Sequence, residues 1–208
     1  DDPHAVCKAL FDAFRAAGGG FAQEAVTRLA PQAAGFTLTT ATGRSLSAPR
    51  VLLAAGAWSK PLAEQCGYKV PLETERGYHL TLAGAAPQFA MPVASLERKI
   101  IMTPMTVGLR MTGTVEFGGL NLPPDPRRFT LLRRHLKALL PHSDPDAAST
   151  WMGFRPSLPD HLPMLGRAPR HAGLFFAFGH QHLGLTLAGV TARIIAGACA
   201  GRDDELPM

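Results

Sequence analysis

Apolar positions recur at four-residue spacing at the start of the chain: Val6, Leu10 and Phe14, with Ala9, Ala13 and Ala17 beside them. That spacing draws one stripe along one face of a helix. Asp2-Pro3 supplies its N-cap and first-turn proline, and Gly18-Gly19-Gly20 ends it. A short strand is expected around Glu24 to Leu29. Phe36 and Leu38 then alternate with Thr37 and Thr39 ahead of a turn at Ala41-Thr42-Gly43, which reads as a hairpin. Val51 to Ala55 runs apolar without a break into Gly56, the pattern of a strand buried on both faces in a parallel sheet.

The middle of the chain changes period. From Pro71 to Gly119 short alternating segments predict strands at Tyr78 to Leu82, Ile100 to Pro104 and Gly108 to Phe117, an antiparallel sheet with one wet face. Asp125-Pro126 opens a second helix that buries Phe129, Leu132, Leu136, Leu139 and Leu140, and Pro141 closes it. The first style then returns. Leu174 to Phe178 is a buried strand running into Gly179-His180, followed by a small-residue helix from about Gly184 to Ala200. The predicted fold class is α+β: an α/β domain interrupted by an antiparallel insert. The expected divisions are residues 1–70, 71–147 and 148–208.

Composition narrows the classes. Hydrophobic residues make up 46% of the 208 and charged residues 18%, enough apolar material for a core. No apolar run approaches the roughly 20 residues of a membrane-spanning helix. Cys7, Cys66 and Cys199 are distant from one another and form no C-x-x-C pair, which argues against a disulfide framework or a structural zinc site. A reducing, cytoplasmic setting fits them, and a peripheral position at an inner membrane is compatible with it. The net charge of +5 draws anions without selecting one.

Two segments carry chemistry. In Phe178-Gly179-His180-Gln181-His182-Leu183-Gly184-Leu185-Thr186, glycines allow a ligand close to the backbone, and the helix that follows offers free N–H groups with a partial positive charge. That end suits an anion or a ring gaining negative charge; a plain βα packing turn is written the same way. In Gly153-Phe154-Arg155-Pro156-Ser157-Leu158-Pro159-Asp160-His161-Leu162-Pro163-Met164-Leu165-Gly166, three prolines make a rigid, non-helical stretch around one arginine. Its guanidinium could fork onto a carboxylate, point into solvent, or pair with Asp160.

Together these two segments resemble the end of the D-amino acid oxidase/dehydrogenase (DAO) superfamily of FAD-dependent oxidoreductases. Upstream text follows the same order: Asp2-Pro3, Val26 after a short strand, Leu53-Ala54-Ala55-Gly56-Ala57-Trp58-Ser59, Arg76-Gly77-Tyr78-His79, and Gly108-Leu109-Arg110 with Gly113-Thr114 and Glu116-Phe117. The phrasing most resembles the bacterial D-amino acid dehydrogenase branch. The resemblance implies a partial Rossmann-like FAD-binding domain, its parts at 1–70 and 148–208, interrupted by a substrate domain at 71–147. It implies that Arg155 binds the substrate carboxylate, that Tyr78 and His79 approach the flavin from the substrate side, and that Val26 meets the adenine side through its backbone. Ala55 and Gly56 would pass close to the dinucleotide. Gly179, His180, Leu183, Gly184, Leu185 and Thr186 would line the pyrimidine edge of the flavin.

The implied reaction is oxidation of the C–N bond of a small amino acid or amine, with quinone or oxygen as electron acceptor. Two departures qualify it. The G-x-G-x-x-G fingerprint that cradles the FAD pyrophosphate is missing, and Gly18-Gly19-Gly20 ends a helix instead of opening one. The chain is therefore expected to be an incomplete, inactive fragment of such an enzyme. Sarcosine-oxidase relatives attach flavin through a Cys shortly before the Pro-Asp pair; Gly153 stands at about that place, which implies a non-covalent FAD. A non-catalytic, truncated binding module is the alternative. A nucleic-acid interface built from Arg127, Arg128, Arg133, Arg134 and Lys137 is the third reading, against which a solvated helix face accounts for the same charges. No metal site is expected.

Overall fold

The computed structural model describes residues 2–84 and 89–202. Its elements are α1 (Pro3–Ala16), β1 (Val26–Gln32), β2 (Gly35–Thr40), β3 (Ser45–Ala48), β4 (Val51–Leu53), α2 (Ser59–Gln65), β5 (Glu73–Ala83), β6 (Val93–Ser95), β7 (Ile100–Met105), β8 (Gly108–Phe117), α3 (Pro126–Leu139), β9 (Ser149–Ser157), β10 (Met164–Arg167), β11 (Leu174–Phe178) and α4 (Gly184–Cys199). They form two compact units. One comprises Asp1–Gly19 with Glu75–Phe154, the other Gly20–Thr74 with Arg155–Met208. The second unit is thus built from two separate stretches of the chain, and α1 groups with the antiparallel unit.

That antiparallel unit is a five-stranded sheet in the order β6-β7-β8-β5-β9. One face is packed under α3, where Leu80, Met102, Leu109, Met111, Leu132 and Leu136 form the core with Tyr78. The helix starts as its sequence predicts, since the Asp125 carboxylate accepts from the N–H of Arg127 at 2.9 Å. Alternation along β5 and β8 sends the next residues, His79, Thr81, Arg110 and Thr112, to the other face. A register shift at Gly77/Tyr78 opposes Thr114, whose φ is +57°, and lets Glu116 reach Tyr78 across the bulge. α1 has its Asp2 cap, yet Val6, Leu10 and Phe14 remain about half exposed: periodicity made the helix without burying its stripe.

The second unit holds two small sheets. The hairpin strands β1-β2-β3 are antiparallel, with Leu38 opposite both Leu29 and Leu46. In the sheet β10-β11-β4, β11 runs parallel to β4, with Leu174 opposite Val51 and Phe176 opposite Leu53. Leu53, Leu174, Phe176 and Phe178 share a core with Leu29, Phe36 and Tyr68. Here the continuous apolar run misled: Leu53 is 4% exposed but Leu52 is 46%, so β4 is buried on one face among the described residues. α2, β6, β9 and β10 also lie where no element was expected, being short or, in β9, punctuated by proline and glycine.

Candidate functional site

The two C-terminal segments meet inside the second unit. Gln181 donates its backbone N–H to the carbonyl of Pro156 at 3.0 Å. The Gln181 side-chain amide lies 2.8 Å from His161 Nδ1. Both groups belong to the rigid stretch that begins at Arg155. Gly179 closes the joint: its φ is +88°, and a Cβ there would stand 2.7 Å from Leu158 Cδ1. A glycine is therefore required twice over, by backbone angle and by contact. Gln181 takes a positive φ of 54°, held by the bonds on either side of it. The structure thus brings the arginine's segment and the glycine-histidine turn together within one unit.

The turn then delivers the start of α4. Leu183 precedes Gly184 without a capping side chain, and the first helical bond runs from the N–H of Leu187 to the carbonyl of Leu183. The N–H groups of Gly184, Leu185 and Thr186 are consequently the donors an α-helix leaves open at its first turn. His180 turns inward, with Nε2 2.9 Å from Thr191 Oγ1 on the helix. Burial lowers its pKa below the usual histidine value, so the ring is neutral at pH 7. Beside it opens a cleft of about 630 Å³ lined by Leu52, Ala54, Ala177, His180, Gly184 and Thr191, among others. The lining joins α4 to the carboxyl ends of the parallel strands β4 and β11, the position at which open α/β sheets bind ligands. Gly56 follows with φ +56° and no atom within 4 Å of where its Cβ would be.

These features fit a flavin as far as its ring end. The uncapped start of α4 adjoins a predominantly apolar cleft, with Gly184 in its lining, and Gly56 and Gly184 leave the backbone accessible. G-x-G-x-x-G, the fingerprint of a phosphate cradle, does not occur in the chain. Val26, the first residue of β1, is half-buried and pairs with Thr40. Arg155 is half-buried near the end of β9. Asp160 engages its own loop, accepting from the N–H of Leu162 at 3.1 Å.

In the antiparallel unit, Tyr78 and His79 are neighbours with opposite surroundings. The Tyr78 ring is 1% exposed, packed edge-on against Phe129. Its hydroxyl donates to Glu116 and accepts from the N–H of Asp125 at 3.0 Å. Glu116 is in turn bonded to Arg76, which is 2% exposed and donates to the carbonyls of Leu122 and Pro123. The Tyr78 hydrogen bond, followed by Arg76, keeps Glu116 below the ordinary carboxylate range, while burial and Glu116 push Tyr78 above the ordinary phenol value. Tyr78 therefore sits in an ionised core network on the face packed under α3. His79 is on that open face. Its ring stacks on Trp151 at 4.7 Å and 18°, and burial, then the charge of Arg110, lowers its pKa to about 4.

Trp151 and Arg110 are residues that reading for function overlooked. Trp151 had a signal, since it alternates with Gly153 and Arg155 along one strand. Arg110 had a weaker one, an arginine at an outward position between Leu109 and Met111.

Comparison with known proteins gives a consistent result. The family model described as FAD dependent oxidoreductase (DAO) matches residues 2–198. A D-amino-acid oxidase of Bradyrhizobium diazoefficiens is 33% identical over all of this chain and 50% of its own length. A D-amino acid dehydrogenase of Paramagnetospirillum magneticum is 33% identical over 82% of this chain and 41% of its own. Among solved structures, glycine oxidase from Geobacillus kaustophilus superposes with a TM-score of 0.78 at 24% identity, covering 90% of this chain and 51% of that one. The chain thus spans about half the length of the relatives it matches. No helix among the described residues is long and apolar enough to cross a membrane.

Proposed function

This chain belongs to the DAO family of FAD dependent oxidoreductases, and from that premise we propose that its protein oxidises the C–N bond of a small amino acid or related amine. The chain contributes the substrate-side sheet, the carboxylate clamp and the closing edge of a non-covalent flavin site. The observation that carries the reading is the joint at Pro156 and Gln181, which ties the Arg155 segment to the uncapped start of α4. Arg155 holds the substrate carboxylate with a guanidinium fork, fixing the orientation of the carbon to be oxidised. The N–H groups of Gly184, Leu185 and Thr186 and the helix dipole stabilise negative charge at the flavin's pyrimidine edge. When bound, FAD supplies the two-electron acceptor. The amine product is an imine, which water hydrolyses to an oxo acid and ammonia. Quinone or oxygen takes the electrons afterwards. Cysteine plays no part in holding the flavin, because Gly153 occupies the place from which such a bond would be made.

The test joins this chain to a segment bearing the pyrophosphate cradle and screens amino acids with an artificial electron acceptor. Turnover with ammonia release is expected; no turnover on any amino acid would overturn the reading. In that protein Arg155→Ala should raise KM for amino acids by about a hundredfold, the cost of one charge-assisted fork. An unchanged KM removes the clamp. The 208-residue chain alone should purify without a stoichiometric flavin spectrum, because it lacks the G-x-G-x-x-G motif.

A further inference from the structure

The open face of the five-stranded sheet carries an arginine whose Nε has no hydrogen-bond partner among the described residues. Arg110 is half-buried, its Nε is shut off from solvent, and that atom bonds to nothing among the described residues. No described carboxylate lies within ion-pair distance of it. Leaving a guanidinium N–H buried and unpaired costs about 1–3 kcal/mol, more when charged. A surface arginine normally avoids that cost by reaching water. Arg110 is instead held in a corner. Across the strands it lies opposite Thr81 on one side and Thr103 on the other, two hydroxyl-bearing neighbours. The stacked pair of His79 and Trp151 supplies an aromatic wall.

That wall is built. A Cβ on Gly153 would fall 1.9 Å from the Trp151 ring, so the indole lies across the backbone of Gly153 to reach His79. Glycine at 153 is what allows it. His79 is uncharged at neutral pH, because its burial and the charge of Arg110 hold its pKa down to about 4. The corner therefore presents a single fixed positive charge, hydroxyl donors and an apolar plate. A carboxylate satisfies all three: its oxygens take the fork, and the carbon chain behind it lies on the ring.

We propose that Arg110, walled by His79 and Trp151, binds a carboxylate of a small organic acid. Arg110, His79 and Trp151 all belong to one compact unit, so the corner is complete within it.

The binding test uses the 208-residue chain and needs neither flavin nor turnover. Glutarate, a dianion, is titrated while the His79 imidazole and Trp151 indole resonances are followed; glutaramide, of the same length without charge, is the control. Glutarate should shift both resonances saturably and glutaramide should not. Arg110→Met, with its melting temperature checked, should weaken glutarate binding by at least about tenfold, and Arg110→Lys should recover part of it. Equal binding of glutarate and glutaramide, no shift with glutarate, or binding unchanged in Arg110→Met would each overturn the proposal. Should Arg110→Met not fold, the Arg110 Nε–H resonance in the unaltered chain decides: it moves with glutarate or the proposal fails. Because the assay reads the corner directly, saturable glutarate binding supports it even where the joined protein oxidises no amino acid, and that second result counts against the oxidoreductase reading alone.

Discussion

The two faces of the five-stranded sheet use the same residue types for opposite ends. On the face under α3, Arg76 is 2% exposed and bonded to Glu116 and two backbone carbonyls, and Tyr78 bridges Glu116 to the start of the helix. On the open face, Arg110 has a buried Nε without a partner, beside His79 stacked on Trp151. Arg76 meets a carboxylate and two carbonyls through its terminal nitrogens, although its Nε, like that of Arg110, finds no acceptor; Arg110 has no such carboxylate among the described residues. Tyr78 and His79 are consecutive in sequence, yet one serves each face. Residue type near a motif is thus a poor guide to role, and the direction of the side chain decides it.

The largest effect that would sharpen this contrast comes from Glu116→Ala. It strands the buried charge of Arg76 and unties Tyr78, so unfolding stability should fall by about 3 kcal/mol in urea titrations. Arg110→Met, by contrast, removes a buried unpaired N–H and costs no partner, so stability should hold or rise, by up to about 1–3 kcal/mol. A small loss for Glu116→Ala, or a large one for Arg110→Met, breaks the comparison. Next in size is Gly153→Ala on the open face. Its Cβ cannot coexist with the Trp151 ring, so the indole must leave His79 at a cost of about 2 kcal/mol. A change in Trp151 fluorescence or indole chemical shift checks the displacement. Tyr78→Phe comes third. It keeps the packing on Phe129 and deletes a hydroxyl serving two partners, for a loss of about 1 kcal/mol.

Much of the second unit was legible because its determinants are local. Gly179 and the prolines around Arg155 impose backbone geometry on themselves, and a buried strand followed by a small-residue helix is written in consecutive residues. β4 was half-legible: its apolar run marked a strand but not that Leu52 would face outward. The open-face corner was scarcely legible. His79, Arg110 and Trp151 come from three strands, and nothing in the sequence says that β5 lies between β8 and β9. The clearance Gly153 gives Trp151 looks in the text like a loop glycine. The Arg76–Glu116 pair spans 40 positions and depends on a bulge that shifts the register at Gly77/Tyr78.

Acid separates the two faces by pH window, with a smaller effect than any of these substitutions. For His79 the folded pKa, about 4, lies below the usual 6.5. Between those values the unfolded chain holds more protons than the folded one, so this residue makes stability rise with pH and fall as pH drops from 6.5 towards 4. Glu116 acts lower. Its folded pKa is below the ordinary 4.5, so its contribution is complete above that value and is lost as pH falls beneath it. The His79 slope is only part of what a fully buried ring would give, since solvent reaches this half-exposed stack. Urea titrations at pH 7 and pH 5 should show lower stability at pH 5, and His79→Gln should flatten that difference while leaving the loss below pH 4.5 in place. His135 and His180 are also lowered, so part of the slope between pH 7 and pH 5 survives the substitution. If His79→Gln left all of the slope between pH 7 and pH 5, the open face would not be the acid-sensitive one in that window; if it abolished the loss below pH 4.5, which Glu116, Glu24 and Asp125 are expected to carry, the two windows would not separate the two faces.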